Sequence, residues 1–289
     1  MQIHTKLTRR QFLKRLMTVS MGLTGLAGSA GLYGYGIEPY WLEAVHVSIR
    51  IPRLPQAFDG VRIVQFSDLH LGFHLMAQDL DPIVKTIRRC RPDLLLFTGD
   101  LVDDDPNVIT VAIPYLSRMR APLGQFAVLG NHDYRDPEAI VDGWKRSGFE
   151  VLRNEHRLIR KEGDVIVLAG VEDMLMSLPD IRNALEGVPA HAGTILMSHC
   201  PDVADEAKHH PVDLQVSGHS HGGQIRLPLL GHVITPPGAK KYVDGWYRLN
   251  RMQLYVNRGV GTTLLPIRFC CRPQISVLEL RRGWNKYIY

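Results

Sequence analysis

The stretch Leu94-Leu95-Leu96-Phe97-Thr98-Gly99-Asp100-Leu101-Val102-Asp103 decides the fold. Its apolar opening runs straight into Thr-Gly-Asp. A short apolar run that ends in a turn signal reads as a strand buried on both faces, the kind found inside a covered parallel sheet. Gly99 lets the chain turn tightly. Asp100 is left at the C-terminal end of the strand, where open α/β sheets place their ligands. A carboxylate has two oxygens, so Asp100 is read as the bridge of a two-metal centre.

Working outward, the same pattern recurs. A strand over 62–66 ends in Ser67-Asp68-Leu69-His70, and one over 125–129 ends in Gly130-Asn131-His132-Asp133. A strand over 194–197 ends in Ser198-His199, and one over 213–216 runs into Gly218-His219-Ser220-His221. Helical patterns over 79–89, 106–119 and 137–147 separate them, the second with Asp104 or Asp105 as its cap. A hairpin is expected around Glu162-Gly163-Asp164, a short helix over 203–208, and closing strands at 247–249, 253–256 and 275–280. Strands alternating with helices, then a run of strands, predict an α/β domain over 61–289. Residues 38–60 form a lead-in segment, with a candidate edge strand at 46–51.

Composition narrows the function. The 289 residues are 45% hydrophobic and 22% charged, as in an ordinary globular chain. The net charge of +5 lies in residues 1–36, which hold Lys6, Arg9, Arg10, Lys14 and Arg15 and no acid. Removing those five from the 34 basic residues leaves 29, against 29 acidic. The body has no bulk attraction for a polyanion, so no nucleic-acid partner is expected. Cys90, Cys200, Cys270 and Cys271 show no metal-finger spacing and are read as small hydrophobes.

The segment Thr8-Arg9-Arg10-Gln11-Phe12-Leu13-Lys14 resembles a twin-arginine export signal. It is followed by 22 uncharged residues, Leu16 to Ile37, long enough to span a bilayer core of ~30 Å. Ala27-Gly28-Ser29-Ala30 offers small residues for cleavage but no Ala-x-Ala. Over 1–37, a cleaved signal and a membrane anchor both stay open. Either way the chain is expected to leave through the twin-arginine machinery and to end membrane-attached or extracytoplasmic.

Each polar cluster alone is weak, since a lone His is more often structural. Taken in order, Asp68-x-His70, Gly99-Asp100-x-x-Asp103, Gly130-Asn131-His132-Asp133, His199 and Gly218-His219-x-His221 resemble the motifs of the calcineurin-like metallophosphoesterase superfamily. His219-Ser220-His221-Gly222-Gly223-Gln224 and Val256-Asn257-Arg258-Gly259-Val260-Gly261 resemble its exported or membrane-attached bacterial branch, some members of which hydrolyse UDP-2,3-diacylglucosamine in lipid A biosynthesis.

The resemblance implies a four-layer α/β/β/α sandwich and an active hydrolase. Asp68, His70 and His221 would hold one metal, Asn131, His199 and His219 the other, and Asp100 would bridge. Mixed imidazole and carboxylate donors suit manganese, expected first, or iron or zinc, better than magnesium or calcium. Two ions ~3.5–4 Å apart can activate water and clamp a phosphoryl group for in-line attack. His132 would protonate the leaving oxygen, with Asp103 fixing its tautomer. The expected reaction is hydrolysis of a phosphodiester or pyrophosphate, lipid-linked in one version. A broad phosphomonoesterase and a non-catalytic metal-binding scaffold are the alternatives. Asp104-Asp105 and Asp133 stand where phosphoprotein phosphatases carry Arg-Gly and Glu, which argues against a protein substrate. Asp103 stands where purple acid phosphatases carry a metal-binding Tyr. Asn131, His74, Lys240 and Lys241 are substrate-contact candidates, the lysines closing an apolar loop over 222–245. A monomer is expected.

Replacing Arg9 and Arg10 by Lys keeps the charge and removes the arginine pair. Export measured by fractionation should stop; continued export would refute the signal.

Overall fold

The computed structural model describes residues 8–189 and 191–283. Helix α1 (Arg9–Gly36) begins at a reciprocal cap: Thr8 Oγ1 accepts the Gln11 amide at 3.3 Å and Gln11 Oε1 accepts the Thr8 amide at 3.0 Å. Its side chains are largely exposed. Among the described residues no helix is long and apolar enough to cross a membrane. The uncharged stretch has the length, but Gly22, Gly25, Gly28, Gly31, Gly34 and Gly36 dilute its hydropathy.

The C-terminal end of α1 is built into the body. Gly34 O accepts the Arg268 amide at 2.9 Å, and Tyr33 meets Phe269 edge-on. Glu38 is fully buried and accepts the amides of Cys270 and Cys271. A boundary at 37 falls inside this junction. The lead-in then supplies strand β1 (Glu43–Ile51).

From there the chain runs β2 (Arg62–Phe66), α2 (Leu80–Arg89), β3 (Leu94–Thr98), α3 (Val108–Leu116), β4 (Gln125–Val128), α4 (Pro137–Arg146) and β5 (Glu150–Val151). It continues through β6 (Glu155–Lys161), β7 (Asp164–Gly170), α5 (Ile181–Ala184), β8 (Gly193–Met197), α6 (Ala204–Ala207) and β9 (Leu214–Ser217). A two-strand ribbon, β10 (Arg226–Leu227) with β11 (Gly231–His232), precedes β12 (Gly245–Leu249), β13 (Met252–Val256) and β14 (Gln274–Arg282). Helix α3 is shorter than its pattern. Asn107 takes the cap position without a side-chain capping bond, since both its backbone amide and its Nδ2 donate to Asp105 Oδ1 at 2.9 Å.

Two six-stranded sheets result, ordered β1-β14-β2-β3-β4-β5 and β12-β13-β9-β8-β7-β6. Strands β2 to β5 are mutually parallel, as are β7, β8, β9 and β13. β1 pairs parallel with β14, which runs antiparallel to β2. Strand periodicity then sorts side chains into layers. In β3, Leu95 and Phe97 face the helix layer that holds Ile87, Leu116 and Trp144. Leu94 and Leu96 face the second sheet, against Ile166, Ile195 and Val216. On the far side Leu196 and Leu254 meet Ile181 and Ala204. These three cores are the seams of a four-layer α/β/β/α sandwich.

Leu96 is fully buried between the sheets. Leu96→Ala should cost about 2–5 kcal/mol in urea unfolding, while Leu158→Ala, at a position 40% exposed, should stay within about 0.5 kcal/mol.

Candidate metal centre

Strands β2, β3 and β4 of one sheet and β8 and β9 of the other deliver their C-terminal ends to the same place. The loops that follow are knotted together by backbone bonds: Asp68 N donates to Gly99 O at 2.9 Å, and Gly218 N to His199 O at 3.1 Å. Side chains at 130 and 218 would not fit. A Cβ on Gly130 would lie 2.2 Å from Asp100 Oδ1, and one on Gly218 2.0 Å from Ser67 Oγ. Asp68, His70, Asp100, His219 and His221 all adopt left-handed φ values, between 46° and 65°. Such a conformation in a non-glycine residue is costly and persists where the surroundings enforce it, typically at functional sites.

Asp100 lies at the centre. Its Oδ2 is 3.1 Å from His199 Nε2 and 3.5 Å from His70 Nε2, so one carboxylate reaches both halves of the cluster. On the first side, His70 Nε2 lies 3.1 Å from His221 Nε2, which is 3.6 Å from Asp68 Oδ1. On the second, His219 Nδ1 lies 3.0 Å from His199 Nε2. Donor atoms converge in the groups Asp68–His70–His221 and Asp100–His199–His219, all buried.

Three of the four outward ring nitrogens are already committed, while His221 Nδ1 is buried without a partner. His70 Nδ1 donates to Asp103 Oδ1 at 2.9 Å, His199 Nδ1 to Thr98 O at 2.7 Å, and His219 Nε2 to Pro237 O at 2.7 Å. Each bond fixes a tautomer whose other nitrogen presents a lone pair inward, the arrangement of metal-binding histidines. Asn131 Oδ1 is buried with no hydrogen-bond partner, which a cation would satisfy. The donor set therefore fits two metal ions. Electrostatics agree. Burial raises the Asp68 carboxyl. Burial also works to raise Asp100, but the neighbouring His199, His70 and His132 outweigh it and hold Asp100 well below the usual range. Burial pulls the His199 ring down, and the Asp100 carboxylate beside it works in the opposite direction. Two buried carboxylates thus demand positive charge at this seam.

The sequence model for calcineurin-like phosphoesterases matches residues 61–223, which contain every one of these donors. The chain belongs to that family. An uncharacterized metallophosphoesterase, YkuE of Bacillus subtilis (strain 168), is 38% identical over 96% of this chain and 98% of its own. The phosphodiesterase YaeI of Escherichia coli (strain K12) is 30% identical over 95% and 99%. The UDP-2,3-diacylglucosamine pyrophosphatase LpxG of Chlamydia trachomatis serovar D is 28% identical over 84% and 90%. This chain is a hydrolase of the metallophosphoesterase kind.

Within the phosphoesterase, His132 stands beside the cluster, its ring 4.6 Å edge-on from His70 and its amide donating to Asp100 Oδ1 at 2.9 Å. The expected Asp103 partnership is redistributed. The His132 Nδ1 proton goes to the backbone oxygen of Asp103 at 2.7 Å, while the carboxylate bonds His70 and lies 3.7 Å from His132. Asp103 precedes a turn, so its carbonyl and side chain point to different histidines. His74 is not brought to the cluster: it bonds Tyr40 Oη at 2.9 Å and stacks on Tyr35. Lys240 Nζ donates to Thr235 O and Lys241 pairs with Asp205, so neither ammonium is aimed at the cluster. Aspartates 202 and 205 hold that loop through the lysines' amides and side chains.

Sequence reasoning missed Asp133 as a positioning group. It is fully buried and accepts the amides of Asp100, Leu101 and Gly130 at 2.9–3.0 Å, clamping the loop that carries the bridge. Its place in Gly-Asn-His-Asp was the available signal. Pro237, whose carbonyl orients His219, had none.

Elemental analysis should find two divalent ions per chain, with Asp100→Asn losing at least one. Because Asp103 supports His70, Asp103→Asn should weaken metal binding about 10–100-fold in calorimetric titration.

Proposed function

We propose that this phosphoesterase is a dinuclear enzyme, manganese-dependent first and iron- or zinc-dependent otherwise, that cleaves phosphodiester or pyrophosphate bonds. The observation that carries this reading is the position of His132. Its Nδ1 proton is held by a carbonyl, its ring is partly exposed, and it lines an open cleft with Asn131, Tyr134 and Arg135. Nε2 is then the atom that can hand a proton to a departing oxygen. When bound, the two ions would supply charge for the phosphoryl oxygens and lower the pKa of water. Asp68, His70 and His221 would hold one, and Asn131, His199 and His219 the other. Asp100 would join them. Asp133 and Asp103 keep the bridge and His70 in place.

A lipid-linked substrate such as UDP-2,3-diacylglucosamine is supported by the printed activity of the chlamydial relative and by exposed apolar side chains at Leu229, Leu230 and Ile234, in the loop following His221. Membrane association after twin-arginine export fits the exposed apolar residues of α1, among them Phe12, Leu23 and Leu26. A scaffold role is disfavoured because the full donor set is accompanied by a placed acid. A monoesterase would use the same centre without needing room for a second substituent.

The acid makes a graded demand. His132→Asn should slow hydrolysis of an alkyl phosphodiester about 10²–10⁴-fold and of a nitrophenyl ester far less, since nitrophenolate leaves without a proton. Metal content should be unchanged. Equal losses on both substrates, with metal lost, would make His132 a ligand instead.

A further inference from the structure

A second cavity adjoins the centre. It has a volume of about 200 Å³ and is lined almost wholly by apolar atoms, with Val233, Ile234, Pro236 and Leu265 on its walls. His221 of the metal cluster forms part of the same wall. The polar groups that border it are spent on the fold. Gln224 donates from Nε2 to Thr263 O at 3.0 Å and Leu265 O at 2.9 Å, and its Oε1 accepts the Thr263 amide. Ser220 Oγ donates to Val243 O at 2.6 Å. These bonds hold the walls together and leave little for a polar ligand to bond. The pocket opens to solvent along Val233 and Ile234, which are 53% and 73% exposed, so a chain can enter it from outside.

The cleft that contains His132 shares no lining residue with this cavity.

Resting on the phosphodiesterase reading, we propose that the cavity takes an aliphatic arm of the substrate, and that this arm is the one retained on the phosphate. The leaving group departs beside His132, in the more open cleft lined by Asn131, Tyr134, Arg135 and Met176, where the half-exposed Arg135 lies beside Asp104, and that group is taken to be polar. Water supplies the new P–O bond, and the P–O bond to the polar alcohol breaks. That alkoxide takes the His132 proton, which water replaces, and the alkyl–O–P linkage survives.

The test uses the full-length, metal-loaded protein and soluble alkyl 4-nitrophenyl phosphates from methyl to hexyl, below micelle formation. Each methylene should raise kcat/KM about fourfold until the cavity fills. Ile234→Asp and Leu265→Asp should flatten that series, and Ile234→Leu should preserve it, with metal content confirming the fold. Calorimetric binding of methyl through hexyl phosphate should show the same dependence without turnover. Hexylphosphocholine should yield hexyl phosphate and choline. A flat series in rate and binding, or hexanol and phosphocholine as products, would overturn the proposal. Chain-dependent binding with no diester hydrolysed would instead remove the phosphodiesterase reading and leave the cavity's occupant standing.

Discussion

Two carboxylates, Asp68 and Asp100, are buried at the seam between two sheets, and the rest of the site follows from that constraint. A buried unpaired charge costs several kcal/mol, so the fold must surround these groups with donors and cations. The His219 amide reaches Asp68, the His132 amide reaches Asp100, and four imidazoles crowd the space between. Only a left-handed backbone at five of these residues lets side chains and amides converge together. The strain is local, and it is held by the hydrogen bonds that converge on it.

Parallel strands make such convergence available. Every parallel strand ends at the same edge of its sheet, so two parallel sheets packed face to face bring two rows of strand ends into one line. The sheet–sheet core of Leu94, Leu96, Ile166, Ile195 and Val216 keeps those rows in register. Glycines at 130 and 218 remove the side chains that would keep the loops apart. The result is rigid where ligands must be held, and open on the His132 side.

The N-terminal segment has two characters. Most of α1 carries exposed apolar side chains, whereas residues from Tyr33 to Glu38 are stitched to the loop of Arg268–Cys271. Arg268 is fully buried and gives its guanidinium to the carbonyls of Arg258, Gly261 and Cys271. Gly261 in turn donates to Asp68 O at 2.7 Å. The helix terminus is therefore two short steps from a cluster residue, and its packing belongs to the domain.

The amino-acid sequence by itself determined most strands of both sheets, helices α2 to α4 and the chemical types gathered at strand ends, but not helices α1 and α5, strand β5 or the β10–β11 ribbon. Leu94–Thr98 reads as a doubly buried strand because periodicity and turn chemistry are local properties. Asp68, His70, Asp100, Asn131, His199, His219 and His221 were legible for the same reason, each following a recognisable strand. What tertiary structure alone decided was which atoms face each other. His70 meets His221 across 151 positions, and no local pattern encodes that approach. The Asp103 carboxylate turned to His70 while its carbonyl took His132. His74 went to Tyr40, the lysines to Thr235 and Asp205, and the Pro237 carbonyl came to His219. These outcomes depend on loop paths and carbonyl directions, which are set only when the two sheets close on one another.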